Sequence, residues 1–175
     1  MSGSAIQVCV LDDSQTVARA SADWSRLEQR AAVTILRDGF RDIEDAAGKL
    51  AGFDILIPMR ERTPFPAALI ERLPRLKMIA LTGVRAPTLD LQACAARGIV
   101  VSNTPGDHVT AATAELTWAL VLACARDIAA ADAGMKAGRF HEGVRIGMAL
   151  EGKRLGIVGL GKLGRRVAQY GKAFG

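Results

Sequence analysis

The residues with the clearest chemical meaning are three glycines, Gly159-x-Gly161-x-x-Gly164, near the end of a 175-residue chain. This spacing suits a pyrophosphate. The first glycine permits a tight turn. The second removes a side chain so that the backbone can approach the phosphates, and the third lets a helix pack closely on a strand. The helix start then offers free N–H groups and the positive end of its dipole. Glycine is common, so the triplet carries weight only between a strand and a helix. Both are predicted: Leu155-Gly-Ile-Val158 as the strand, and a helix opening at Lys162 and Leu163 and running to Phe174. The plain alternative is a glycine-rich turn that binds nothing.

Other residue types invite chemistry and are weaker. Asp12-Asp13 follows an apolar run and looks like the acidic pocket of a signalling receiver domain. That reading also needs an aspartate ending the third strand and a lysine ending the fifth. The chain has Ile57-Pro-Met-Arg60 and Ser102-Asn-Thr-Pro105 there, so a polar turn capping the next helix is the better reading. The three cysteines, Cys9, Cys94 and Cys124, are odd in number and far apart, which fits neither a disulfide framework nor a metal site. They read as buried thiols in a reducing cytoplasm. His108 and His141 could move protons, but no carboxylate pattern singles either out. Both read as surface or capping residues.

The elements that must position these groups alternate. Short apolar, β-branched runs lie at Ile6–Leu11, Ala32–Leu36, Asp54–Ile57, Met78–Leu81 and Ile99–Ser102, with helix patterns at 15–30, 41–51, 65–73 and 89–97 between them. Near-continuous apolar strands are buried on both faces, as in a parallel sheet. The alternation predicts a doubly wound α/β domain. A long helix is then expected from an N-cap at Asp107, through His108, to about Gly134. Nearly every residue from Ala111 to Ala125 is small or apolar, so this helix is expected to be buried on several sides, between two domains or two subunits. Residues 134–152 are glycine-rich and turn-like.

Bulk properties exclude several classes. Half the residues are hydrophobic and 23% are charged, which is globular composition. No apolar run reaches the ~20 residues of a membrane span, and the first residues do not form a signal peptide. The net charge of +5 comes from scattered lysines and arginines without stacking aromatics, which argues against nucleic acid. A mild positive field suits an anionic cofactor or substrate.

Three segments together resemble the D-isomer-specific 2-hydroxyacid dehydrogenases. They are Leu76–Gly83 with Leu89–Pro105, Thr113-Ala-Glu-Leu116, and Leu150–Gly164. The resemblance implies a flavodoxin-like substrate domain (1–106), a connecting helix and linker (107–152), and the first βα unit of a Rossmann NAD(P)-binding domain (153–175). It implies hydride transfer between NAD or NADP and C2 of a small D-2-hydroxy or 2-keto acid, in a homodimer. Arg60, Gly83 and Val84 would line the substrate, with backbone around Gly83 and Val84 holding its carboxylate. Thr113 would face the nicotinamide, and Gly159, Gly161, Lys162, Leu163 and Gly164 would hold the cofactor. Arg85, also placed on the substrate side, stands where the family pattern has a second glycine.

The catalytic arginine, histidine and glutamate that the family implies do not lie within these 175 residues, nor does the acidic residue that reads the ribose. The sequence therefore reads as the N-terminal portion of such an enzyme, inactive by itself. A half-formed Rossmann sheet is expected to leave apolar surface uncovered and to make the chain poorly soluble or oligomeric. The rival reading is a binding or dimerising module derived from the family, without redox chemistry.

Overall fold

The computed structural model describes residues 5–104 and 110–175. Its contacts divide the chain into two compact units, Met1–Gly106 and Asp107–Gly175. The first holds five parallel strands: β1 (Ile6–Val10), β2 (Ala31–Ile35), β3 (Ile55–Ile57), β4 (Met78–Ala80) and β5 (Val100–Ser102), in the order β2-β1-β3-β4-β5. This is the flavodoxin-like order, whose direction of winding reverses between β1 and β3. The five strands match the five apolar runs to within a residue or so.

The helices of this unit are short. The stretch 15–30 breaks into α1 (Ala18–Ser21) and α2 (Ser25–Glu28), followed by α3 (Ile43–Leu50), α4 (Ala67–Ile70) and α5 (Leu91–Ala96). Their starts are chemically defined. Asp13 accepts from the amides of Val17 and Ala18 at 2.9 and 3.2 Å. Asp42 and Asp90 cap α3 and α5 by accepting from Asp45 and Ala93. The core is aliphatic: Leu11, Leu50, Leu56, Leu69, Ile70, Leu73 and Ile79 are fully buried. Truncating one of these to alanine would cost about 2–5 kcal/mol.

An ion cluster around the buried Asp54 fastens the amino edge of the sheet. The Asp54 carboxylate accepts from the Gln7 amide at 2.9 Å and meets Arg75 at 2.8 Å and Lys77 at 3.0 Å. The Gln7 N–H, then Lys77 and Arg75, hold its pKa below the ordinary carboxylate value.

The second unit contains α6 (Thr110–Ala125), α7 (Ile128–Lys136), α8 (Lys162–Gly171) and a 3-10 turn at Lys172–Phe174. The expected N-cap at Asp107 and His108 lie outside the described residues. The single long helix is two helices, because Asp127 takes a left-handed φ of +53°. The carboxylate of Asp127 accepts from both the backbone and the guanidinium of Arg145, each at 2.9 Å. The returning chain then donates from Met148 to the carbonyl of Ala125 at 2.8 Å. Periodicity carries no sign of such a break.

Nor is α6 buried on every side within its unit. Ala114 and Trp118 are buried against α8, where Trp118 donates to the Val167 carbonyl at 3.0 Å and stacks on Phe174. Leu116 and Leu120 on the other face are exposed. Leu155–Val158 carries no ladder pairing among the described residues, since a strand needs a neighbour and none lies beside it. Val158 and Leu160 are exposed. Of the cysteines, Cys9 and Cys94 are buried as expected and Cys124 is exposed.

Candidate functional site

Two constellations stand out, one in each unit. The first lies at the carboxyl edge of the sheet, where β3 and β4 are neighbours. β3 continues into Pro58-Met59-Arg60 and β4 into Leu81-Thr82-Gly83. Thr82 joins them: its hydroxyl donates to the Pro58 carbonyl at 2.9 Å and accepts from the Arg60 amide at 3.0 Å. This hydroxyl holds Arg60 in a left-handed φ of +56°. The Arg60 guanidinium is laid against Gly83, where a Cβ would sit 2.8 Å from Nη1. Only glycine leaves room for the arginine in that pose.

The next residues are tied from behind. Thr104 N–H donates to the Gly83 carbonyl at 3.3 Å, and the Asn103 amide donates to the Val84 carbonyl at 3.1 Å. The two carbonyls are thus turned toward the end of β5. The N–H groups of Gly83, Val84 and Arg85 find no acceptor among the described residues. These three amides are available to an anion. Arg60 supplies a cation beside it, partly offset by Glu61 at 3.8 Å. Val84 and Arg85 also line a cleft of about 680 Å³ with Leu91, Val101 and Asn103. The structure therefore brings Arg60, Gly83, Val84 and Arg85 together. Sequence reasoning missed Thr82, Asn103 and Thr104. The one available signal was hydrogen-bonding side chains at the ends of adjacent strands.

The second constellation is the glycine turn. Gly159 has φ +89°, which an L side chain rarely adopts. Gly161 is the N-cap of α8, and a Cβ there would meet nothing within 4 Å. At Gly164 a Cβ would lie 2.1 Å from the Gly159 carbonyl oxygen, so the helix packs on the turn with no space left. A tight turn, an open backbone at the helix start and a close helix contact are what a pyrophosphate requires of such a loop. Lys162 and Leu163 share with Gly159 and Gly161 a groove of about 560 Å³, walled on the α6 side by Thr117 and Trp118. Thr113 stands one turn earlier on α6, and its carbonyl accepts from the Thr117 hydroxyl at 2.8 Å; it does not line the groove. His141 is exposed, with its ring edge-on to Phe140.

Comparison with known proteins gives this arrangement a lineage. Residues 9–158 match the profile of the D-isomer specific 2-hydroxyacid dehydrogenase catalytic domain. The chain belongs to that family. It is 43% identical over 114 residues to the glyoxylate reductase of Aeropyrum pernix, covering 61% of this chain and 34% of that protein. It is 38% identical over 132 residues to the D-3-phosphoglycerate dehydrogenase of Methanocaldococcus jannaschii, covering 75% and 25%. Among solved structures, a phosphoglycerate oxidoreductase from Vibrio cholerae O395 superposes with TM-score 0.89 at 35% identity, covering 97% of this chain and 54% of that one. The match thus spans a quarter to a third of those curated relatives and about half of that solved chain. As a dehydrogenase-family chain it carries the parallel α/β sheet of its relatives with the glycine turn after it.

Proposed function

We propose that this chain supplies the substrate domain and the opening of the cofactor domain of an NAD(P)-dependent oxidoreductase acting on a small D-2-hydroxy or 2-keto acid. In this reading the amides of Gly83, Val84 and Arg85 take the carboxylate of the acid. Arg60 adds the positive charge beside it, and Arg85 at the cleft mouth contacts the rest of the molecule. Gly159, Gly161 and Gly164 seat the pyrophosphate, with Lys162 and Leu163 at the start of α8 and Thr113 facing the nicotinamide. Such a cofactor, when bound, would supply hydride exchange with C2 of the acid. The chain's own residues bind and orient. A carboxylate fixed by three amides and a guanidinium has its C2 held in one place, and such positioning is worth several kcal/mol of a bimolecular barrier. A homodimer follows the habit of the family.

The observation that carries the reading is the tie-back of the Gly83 and Val84 carbonyls, which leaves the amides of this turn for a ligand. The test is an NADH-oxidation assay on protein isolated from its natural source, with glyoxylate, hydroxypyruvate and phosphohydroxypyruvate. Consumption of NADH with any of the three supports the proposal. Failure of all three with both NADH and NADPH would refute it and favour a binding module.

A further inference from the structure

The Asp12 carboxylate is used by neither constellation, although it lines a cavity of about 310 Å³ between the turns that follow β1, β2 and β3. We propose that this cavity is a separate small-molecule site, and that it takes a zwitterionic α-amino acid with an apolar side chain.

Asp12 lies just past β1, at the strand where the sheet reverses its winding, and it is 6% exposed. Its Oδ2 accepts from the Thr63 hydroxyl at 2.8 Å. Its Oδ1 receives no hydrogen bond among the described residues and faces Gly39, another wall residue, where a Cβ would stand 3.8 Å away. A carboxylate has about four acceptor sites, and this oxygen is not sealed from the cavity, since no buried side-chain polar atom among the described residues lacks a partner. It can take a donor from a molecule in the cavity. Arg62 lies across the same wall. Its Nη1 is committed to the Asp12 carbonyl at 2.7 Å and to Ser14 Oγ at 3.3 Å. Its Nε and Nη2 have no acceptor among the described residues, and that edge of a guanidinium matches a carboxylate.

A purely structural role, stapling the β1 turn to the β3 turn, accounts for Oδ2 and Nη1 only. Phe40, Ala46 and Leu69 make the remaining wall apolar. Of the charged wall residues, Asp42 caps α3 and Arg41 pairs with Asp45, which leaves Asp12 and Arg62 as one charge of each sign, so a molecule carrying both signs gains more than an ion of either. The volume is at the small end for ligand sites. It suits one amino acid rather than a nucleotide.

The test is titration of L-leucine into the isotope-labelled chain, with amide shifts read by NMR. Leucinamide lacks the carboxylate and 4-methylpentanoate lacks the ammonium. Leucine should give saturable shifts at Gly39–Asp42, Arg62 and Thr63, and each truncated analogue should bind at least about tenfold more weakly, the worth of one charged hydrogen bond. Asp12→Asn should weaken leucine and leave 4-methylpentanoate unchanged. Gly39→Val keeps the Asp12–Thr63 bond and needs no left-handed backbone, yet places a side chain in the cavity. It should abolish the shifts, and it decides the matter if Asp12→Asn does not fold. Absence of saturable leucine shifts in the parent overturns the proposal. So do equal binding of 4-methylpentanoate and unchanged binding in Gly39→Val.

Discussion

Replacing Gly164 with alanine puts a methyl group where the backbone of Gly159 already is. The new Cβ would stand 2.1 Å from the Gly159 carbonyl oxygen, against the 3.4 Å at which ordinary contact begins. The obstructing atom belongs to a turn fixed at φ +89°, so it cannot swing aside like a flexible side chain. Overpacking of this kind costs about 1–3 kcal/mol, with the upper end expected when backbone must move. For a unit of this size about 3 kcal/mol lowers the melting midpoint by on the order of 15 °C. Gly161→Asp should behave oppositely. Its Cβ has open space, and aspartate is a favoured cap beside a positive helix end. Its melting should match the parent within about 0.5 kcal/mol. Its carboxylate would repel a pyrophosphate from the same amides. The assays are thermal unfolding by circular dichroism and titration of inorganic pyrophosphate read from the amide shifts of the first turn of α8. A Gly164→Ala protein that melts like the parent would refute the packing argument. A Gly161→Asp protein that still binds pyrophosphate would refute the assignment of the site.

Thr82→Val removes the hydroxyl that joins the β3 and β4 turns. It should cost about 1–2 kcal/mol in denaturant unfolding, with Thr82→Ser restoring it; a neutral valine variant contradicts the bridge. Asp54 has a folded pKa depressed below its unfolded value, so its contribution is present above the ordinary carboxylate value of about 3.9 and is lost as pH falls through the folded value. The stability difference between parent and Asp54→Asn should therefore be full at neutral pH and shrink in acid. A difference constant down to pH about 2 would count against it. Burial pushes the Cys9 thiol up to about 12 and raises that of Cys94. A thiol reagent at mild alkaline pH should thus modify exposed Cys124 first and the other two only on unfolding; rapid labelling of Cys9 contradicts the core described here.

The sheet was legible because its strands are short apolar runs, most of them β-branched, set between helix patterns with Gly39, Gly52, Pro74 and Gly98 near the boundaries. The cap of α5 at Asp90 sits within a residue of the expected start. What could not be read was set by contacts distant in sequence. The break between α6 and α7 depends on Asp127 meeting Arg145, eighteen residues on. The stretch 15–30 divides because Asp13 caps α1 early and Trp24 turns back to donate to the Ala18 carbonyl. Exposure of Leu116 and Leu120 is equally invisible to a pattern that counts apolar residues without knowing what lies beside them. At the site, Arg60, Gly83 and Val84 were legible through the family resemblance alone. Their meeting follows from β3 lying next to β4, and the hydrogen bonds from Thr82, Asn103 and Thr104 needed coordinates.

Oxalate resembles a 2-keto acid with a second carboxylate in place of its carbon tail, so it probes the carboxylate turn without needing cofactor. Titrated into the isotope-labelled chain, it should shift the amides of Gly83, Val84 and Arg85 saturably, and Gly83→Ala, which displaces the Arg60 guanidinium, should weaken it at least about tenfold. Shifts scattered over surface lysines and arginines, with those three amides unmoved, would contradict the account.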